Sequence, residues 1–202
     1  AILETASNYD MRIIAHATTL ADHKALANLG NRRFIHMPYD REVDDEYLEM
    51  VRENNVYIVP TLGVITKSEP YYIPAFQDPF FYDQVPASVL ELLDDNYNSP
   101  LVNQNTESQQ RSAMLARNLL KLKNHIILGT DAGAVGDFFG YADHVELELF
   151  VRMGMSPAEA IVASTSRSAE AFGLNNVGNL KAGKAADLVI LDSNPLEDIR
   201  NT

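Results

Sequence analysis

The chain has 202 residues, of which 28 are Asp or Glu and 16 are Lys or Arg, so its formal net charge is −12. Hydrophobic residues make up 46% and charged residues 22%, which is typical of a chain that folds around a core. Nucleic acids and anionic membranes need a basic surface on their partners, so neither is an expected partner. The chain has no cysteine, which excludes disulfides and thiolate ligands. It also has no apolar run long enough to span a bilayer.

Short apolar runs alternate with longer helical patterns along the chain, which predicts an α/β fold with a parallel sheet. The predicted strands are residues 12–15, 33–35, 56–59, 126–128 and 186–192. The predicted helices are residues 19–29, a helix capped by Asp44, residues 106–122, residues 141–153, and a helix that begins after Ser156 and ends at Gly173.

Residues 60–100 differ in composition from the rest of the chain. Six of the nine prolines lie there, together with several tyrosines and phenylalanines. The segment is too aromatic for a disordered linker and too rich in proline for regular elements. Two interpretations stay open, a functional lid or binding loop and an insertion that packs on the surface.

Three predicted strands end in a side chain that can bind a metal, namely His16, His36 and Asp131. In a parallel α/β barrel the C-terminal ends of the strands converge on one face, where active sites lie. Imidazole nitrogen and carboxylate oxygen suit zinc and its borderline neighbours. A lone histidine after an apolar run is more often a structural residue. Two of the five histidines at consecutive strand ends, with an aspartate at a third, favour a site.

The other three histidines have different sequence contexts. His23 lies in a helical segment beside charged residues, which predicts a position on a solvated face. His125 precedes its strand and is expected at the opposite end from the site. His144 lies near the start of a helix and close in sequence to Asp131, so both a substrate-binding role and a capping or packing role are open.

The motifs at His16, His36 and Asp131, in this order and spacing, resemble the C-terminal half of the amidohydrolase superfamily, of an imidazolonepropionase- or prolidase-like type. The segment Ile13–Ala17 resembles the fifth barrel strand with its metal-binding His16, and Phe34–His36 resembles the sixth. Residues 56–62 fit the seventh strand, and Leu128–Gly133 resembles the eighth with Asp131 as metal ligand. Residues 154–160 and 183–192 resemble the closing pattern of the family.

The resemblance implies a TIM-like (β/α)₈ barrel, of which residues 1–174 would form the second half, strands five to eight with their helices. Residues 175–202 would lead into a small β-sandwich domain. The family's His-x-His pair on strand one and its carboxylated lysine on strand four have no counterpart here. A complete barrel needs about 250 residues. We therefore expect a fragment with about half of the metal ligands, completed by a missing N-terminal half or by homo-oligomerisation.

The resemblance also implies a metal-dependent hydrolase that cleaves carbon–nitrogen bonds in small-molecule or peptide-like amides and cyclic amides, using a metal-activated hydroxide. His16, His36 and Asp131 would bind one or two divalent ions, zinc in the first place. Asp131 would also be the catalytic residue that moves the proton, and His144 would contact substrate. The alternative is a non-catalytic, degenerate barrel fragment with a binding or assembly role. The isolated chain is expected to bind metal weakly and to turn over little.

Overall fold

The computed structural model describes residues 1–66, 79–91, 106–133 and 137–202. The strands are β1 Ala15–His16, β2 Arg33–Ile35 and β3 Tyr57–Val59. The helices are α1 Ile2–Asn8, α2 Leu20–Asn28, α3 Asp45–Glu53, α4 Leu62–Ile65, α5 Pro79–Gln84, α6 Thr106–Leu122, α7 Tyr141–Arg152, α8 Pro157–Ser164 and α9 Ser166–Ala171. A 3₁₀ turn, Ile199–Asn201, lies near the C-terminus.

The three strands form a parallel sheet in the order β1-β2-β3. A parallel bridge between Ile58 and Ile126 adds a fourth position beside β3. In this bridge Ile58 N donates to the carbonyl of His125 at 2.9 Å, and Ile127 N donates to the carbonyl of Ile58 at 3.0 Å. The predicted α/β fold with a parallel sheet is confirmed, and the carboxyl ends of the strands lie at one edge.

The helix starts follow from local capping. Asp44 accepts a hydrogen bond from Tyr47 N, and Thr19 accepts one from Asp22 N. At α8, Ser156 and Glu159 form a reciprocal capping box, with Pro157 at the first helical position. These local signals explain where α2, α3 and α8 begin.

The core lies between the sheet and the helices that cover it. Its largest fully buried side chains include Phe34, Tyr47, Ile58, Leu115, Leu119, Leu122, Ile126 and Phe150. Phe34 occupies the centre of β2, the middle strand, and is 0% exposed. Within β2, Phe34 is buried and the flanking Arg33 and Ile35 are half-buried.

Some predicted elements are shorter than expected. The first strand begins only at Ala15, and residues 126–128 form a bridge instead of a strand. The helix after Ser156 is broken at Thr165, whereas a continuous helix to Gly173 was predicted. The hydroxyls of Ser164 and Thr165 donate to the carbonyl of Ile161 at 3.0 and 2.6 Å, and such bonds compete with helix continuation.

The predicted strand at residues 186–192 is wrong, because the segment has no regular structure. Leu188, Val189 and Ile190 are 55%, 80% and 89% exposed. A strand needs a neighbour to bond with its backbone, and among the described residues no backbone hydrogen bond pairs this segment with another. The β-branched composition is therefore not sufficient to form a strand here.

Parts of the proline- and aromatic-rich segment lie outside the described residues, namely 67–78 and 92–100. The described parts contain α4, α5 and a helical turn at residues 87–91. The choice between a lid and a packed insertion stays a prediction. Within the described ranges, no helix is both long enough and apolar enough to cross a membrane.

Candidate metal and catalytic site

His16 and His36 lie side by side at the carboxyl ends of β1 and β2. Their ring centroids are 4.5 Å apart, with the planes at 77°. His16 pairs in register with Ile35, so His36 is one residue further along the neighbouring strand. His36 is buried, whereas His16 is exposed, so the pair is accessible to solvent on the His16 side. The structure therefore brings together two of the three predicted ligands.

The backbone around this edge adopts unusual conformations at three non-glycine residues. His36 has a φ of 69°, Thr61 of 53° and Asp131 of 56°. A left-handed conformation costs an L-residue roughly 1–2 kcal/mol, and for a β-branched residue such as threonine it is a clear outlier. Conformations of this kind concentrate at functional sites, where the surrounding structure holds them in place.

The hydrogen bonds of His36 determine which ring nitrogen is free. Its Nδ1 lies 2.6 Å from Thr61 Oγ1, and the same hydroxyl donates its proton to the carbonyl of Pro60 at 2.7 Å. Because a threonine hydroxyl has only one proton, Thr61 accepts from Nδ1–H of His36. The neutral ring then carries its lone pair on Nε2. Ligand histidines are typically oriented in this way by a hydrogen bond to the other nitrogen.

The charge state of His36 follows from its surroundings. Burial lowers the pKa of His36, and the nearby His16 lowers it further, whereas the Asp131 carboxylate opposes both. The ring is therefore neutral at neutral pH, which is the form that binds a metal.

Asp131 is exposed and follows the Ile126 bridge segment, as the sequence predicted for the end of a strand. It does not join the two histidines in a ligand cluster. Across the described ranges, no group of three His, Asp or Glu side chains is arranged to bind a metal ion. The predicted role of Asp131 as ligand and catalytic residue stays a prediction.

His144 lies in the first turn of α7 and is exposed. Its Nδ1 is 3.0 Å from the hydroxyl of Thr202, so it connects α7 to the C-terminal residue. This contact accounts for a packing role. Substrate binding by His144 stays a prediction.

The expectation that His23 lies on a solvated face is wrong. The side chain is 0% exposed, and its ring stacks on Phe34 with centroids 4.3 Å apart. Its Nε2 donates to the carbonyl of Ala17 at 3.1 Å, and its Nδ1 accepts from the hydroxyl of Tyr47 at 2.7 Å. Burial lowers the pKa of His23 to about 4. The spacing of Leu20, His23 and Ala27 on one face of α2 was the available signal for burial.

His125 behaves as the sequence predicted. Its Nδ1 is 3.0 Å from the carbonyl of Val56, which directly precedes β3. It therefore lies at the amino ends of the strands, away from His16 and His36.

Sequence reasoning missed Glu146, which is 0% exposed on the inner face of α7. One carboxyl oxygen accepts from Leu62 N at 2.8 Å and the other from Gly63 N at 2.9 Å. Burial raises the pKa of Glu146 to about 8, and the two N–H donors oppose the shift. The available signal was its position four residues after Ala142 and three before Leu149, on the apolar face of the helix.

The comparison with known proteins agrees with this architecture. The chain matches the model of the amidohydrolase family over residues 1–202. It belongs to the amidohydrolase family. Ochratoxinase from Aspergillus niger is 27% identical over 206 residues, which cover 98% of this amidohydrolase chain and 36% of that protein. The chain thus spans about a third of the length of that relative.

Structural and local sequence similarity extend the comparison. The crystal structure of A. niger ochratoxinase has a TM-score of 0.68 at 26% identity, covering 98% of this amidohydrolase chain and 39% of that one. A putative prolidase from Bifidobacterium longum also has a TM-score of 0.68 at 26% identity, covering 99% of this chain and 46% of that one. An imidazolonepropionase from Rubrobacter xylanophilus is 38% identical over 79 residues, 39% of this chain and 19% of that protein. The predicted family is confirmed.

Proposed function

We propose that this amidohydrolase chain contributes the metal-binding edge of a hydrolase that cleaves carbon–nitrogen bonds in amides, cyclic amides or peptide-like substrates. The observation that carries the proposal is the adjacent His16–His36 pair at the carboxyl ends of neighbouring parallel strands. The family and the hydrolase relatives support hydrolysis of carbon–nitrogen bonds.

Within this proposal, β1, β2, β3 and the Ile126 bridge correspond to strands five to eight of a (β/α)₈ barrel. Residues 1–174 are then the second half of the barrel, and residues 175–202 lead into a small β-sandwich. Support comes from the parallel strand order. Leu188, Val189 and Ile190 are exposed apolar side chains, which suit a segment that another part of a protein covers.

The residues of this edge fit a divalent cation, zinc in the first place. Two neighbouring imidazoles are suitable donors for zinc and related ions, and the lone pair on His36 Nε2 is available for ligation. His16 and Asp131 complete the set that this chain would contribute. When bound, such a cation lowers the pKa of a water to near 7 and so makes hydroxide available at neutral pH.

Asp131 would carry the proton during the reaction. An exposed carboxylate after a strand end is suited to accept a proton from the attacking water and to pass it to the leaving nitrogen. His36 and His16 would bind the cation, and the hydrogen bond from His36 to Thr61 would keep the His36 ring in one orientation. His144 is the chain's candidate for a substrate contact.

Metal content tests this proposal. Equilibrium dialysis of the purified chain against zinc, followed by elemental analysis, is expected to show weak but saturable binding. His16→Ala and Asp131→Ala are expected to weaken zinc binding, raising the dissociation constant by more than about 10–100-fold. That range is typical of substitutions at residues that only orient a ligand. Removal of a ligand takes away a direct bond to the metal, which explains the larger effect.

His144→Ala is the matched control, because His144 is an exposed histidine bonded to Thr202. It is expected to leave zinc binding unchanged. Absence of zinc in every sample would contradict the proposal and favour a non-catalytic barrel fragment with a binding or assembly role. Rapid amide hydrolysis by the chain, with one tightly bound metal, would contradict the proposal that this chain contributes only some of the metal ligands.

A further inference from the structure

The helix that follows β3 has an unusual N-terminus. Thr61 is the N-cap residue of α4, yet its side chain makes no capping hydrogen bond. Its hydroxyl instead donates to the carbonyl of Pro60 and accepts from His36. An N-cap threonine normally accepts from a backbone N–H of the first turn. Thr61 does not cap α4 with its side chain, because its hydroxyl is already bonded to His36 and Pro60.

Glu146 takes over the capping of α4 from a different helix. Its two carboxyl oxygens accept from the N–H groups of Leu62 and Gly63, the first two residues of α4. These N–H groups have no partner within the helix. A helix of four residues cannot be stable by itself, so α4 depends on this contact from α7. The link spans 84 residues in sequence between Leu62 and Glu146.

A stability role alone does not account for a glutamate at this position. Burying a carboxyl group costs several kcal/mol unless hydrogen bonds compensate. The neighbouring inward positions of α7 hold Ala142 and Leu149, which shows that an apolar side chain suits this face. The two hydrogen bonds to α4 are the specific effect that an apolar residue cannot provide.

We propose that Glu146 is a positioning residue for His36. By holding the first two N–H groups of α4, its carboxyl fixes Thr61 in the left-handed conformation in which the threonine hydroxyl accepts from His36 Nδ1. The consequence for metal binding rests on the proposed function. The orientation of the His36 ring does not, because it exists without metal.

The test compares two Glu→Gln variants on the same helix. In Glu146→Gln the side-chain amide keeps one acceptor oxygen, so one of the two bonds to α4 is lost. In the control Glu148→Gln the change affects a glutamate paired with Arg152 at 2.5 Å and away from α4. Both are measured without metal by ¹⁵N NMR of the histidine rings, and then by zinc titration.

Glu146→Gln is expected to remove the preference of His36 for the Nδ1–H tautomer. It is also expected to weaken zinc binding, raising the dissociation constant about 10-fold. Glu148→Gln is expected to change neither. Thr61→Val should also remove the Nδ1–H preference of His36, because it lacks the hydroxyl. Thr61→Ser keeps the hydroxyl and should therefore keep the preference.

A role in stability alone would lower the melting temperature of Glu146→Gln and leave the His36 tautomer as in the parent chain, and that result would overturn the proposal. If Glu146→Gln does not fold, Glu146→Asp is compared in the same way, because its shorter side chain does not reach both N–H groups. A parent chain that binds no zinc contradicts the proposed function, while the tautomer comparison still decides the role of Glu146.

Discussion

Replacement of Phe34 by alanine is expected to lower the free energy of unfolding by about 3–5 kcal/mol. The ring is 0% exposed at the centre of the middle strand and stacks on His23 with centroids 4.3 Å apart. Its removal leaves a cavity where the sheet meets α2, and the surrounding side chains fill such cavities only in part. Urea denaturation followed by circular dichroism measures the effect.

Phe139→Ala is the matched control, because Phe139 is 82% exposed. Substitutions at exposed positions usually change stability by no more than about 0.5 kcal/mol. Equal losses in the two variants would contradict the assignment of Phe34 to the core. Because Phe34 is two residues before His36, the Phe34→Ala variant is also informative about how firmly the core holds the site.

Acidification is expected to reduce stability by about 3 kcal/mol through His23 as the pH falls from 6.5 to 4. Burial lowers the folded-state pKa of His23 to about 4 from an unfolded value of 6.5. Each unit of difference corresponds to about 1.4 kcal/mol. The unfolded chain binds the proton first, so the contribution of His23 is complete above pH 6.5 and is lost as the pH falls toward 4.

Urea denaturation across this pH range, in the parent chain and in His23→Gln, separates His23 from the other titrating groups. The variant has no imidazole to protonate, so its stability should fall less steeply on acidification. Parallel pH profiles for the two proteins would show that His23 is not buried in its neutral form.

Glu146 contributes with the opposite sign. Its pKa is raised from 4.5 to about 8 by burial, so its contribution is present below pH 4.5 and is lost as the pH rises toward 8. Between pH 4.5 and 6.5 the contributions of His23 and Glu146 change in opposite directions and nearly cancel, so the decline expected from the two groups together lies between pH 6.5 and 8. In Glu146→Gln the decline on the alkaline side should be reduced.

Local signals in the sequence determined the bounds of several helices of this chain. Asp44 and Ser156 cap helices that begin at the next residue, and Thr106–Leu122 has the predicted bounds. These elements were predictable because their hydrogen bonds join residues at most four positions apart. The positions of His16 and His36 at strand ends, and the family resemblance, also followed from short motifs.

The tertiary structure decided what depends on distant partners. His23 is buried because Tyr47, 24 residues away, supplies a hydrogen bond inside the core. The segment at residues 186–192 has strand composition, but a strand forms only when a second strand pairs with it. No local pattern reports whether such a partner is present.

The same distinction applies to the site. Adjacent parallel strands place His16 beside His36, and the alternation of strands and helices made that proximity predictable. The orientation of the His36 ring depends on Thr61, and the conformation of Thr61 depends on a helix start held by Glu146. The sequence by itself therefore determined which side chains reach this edge. Long-range hydrogen bonds decided how they are held, because those bonds join residues that only the folded chain brings together.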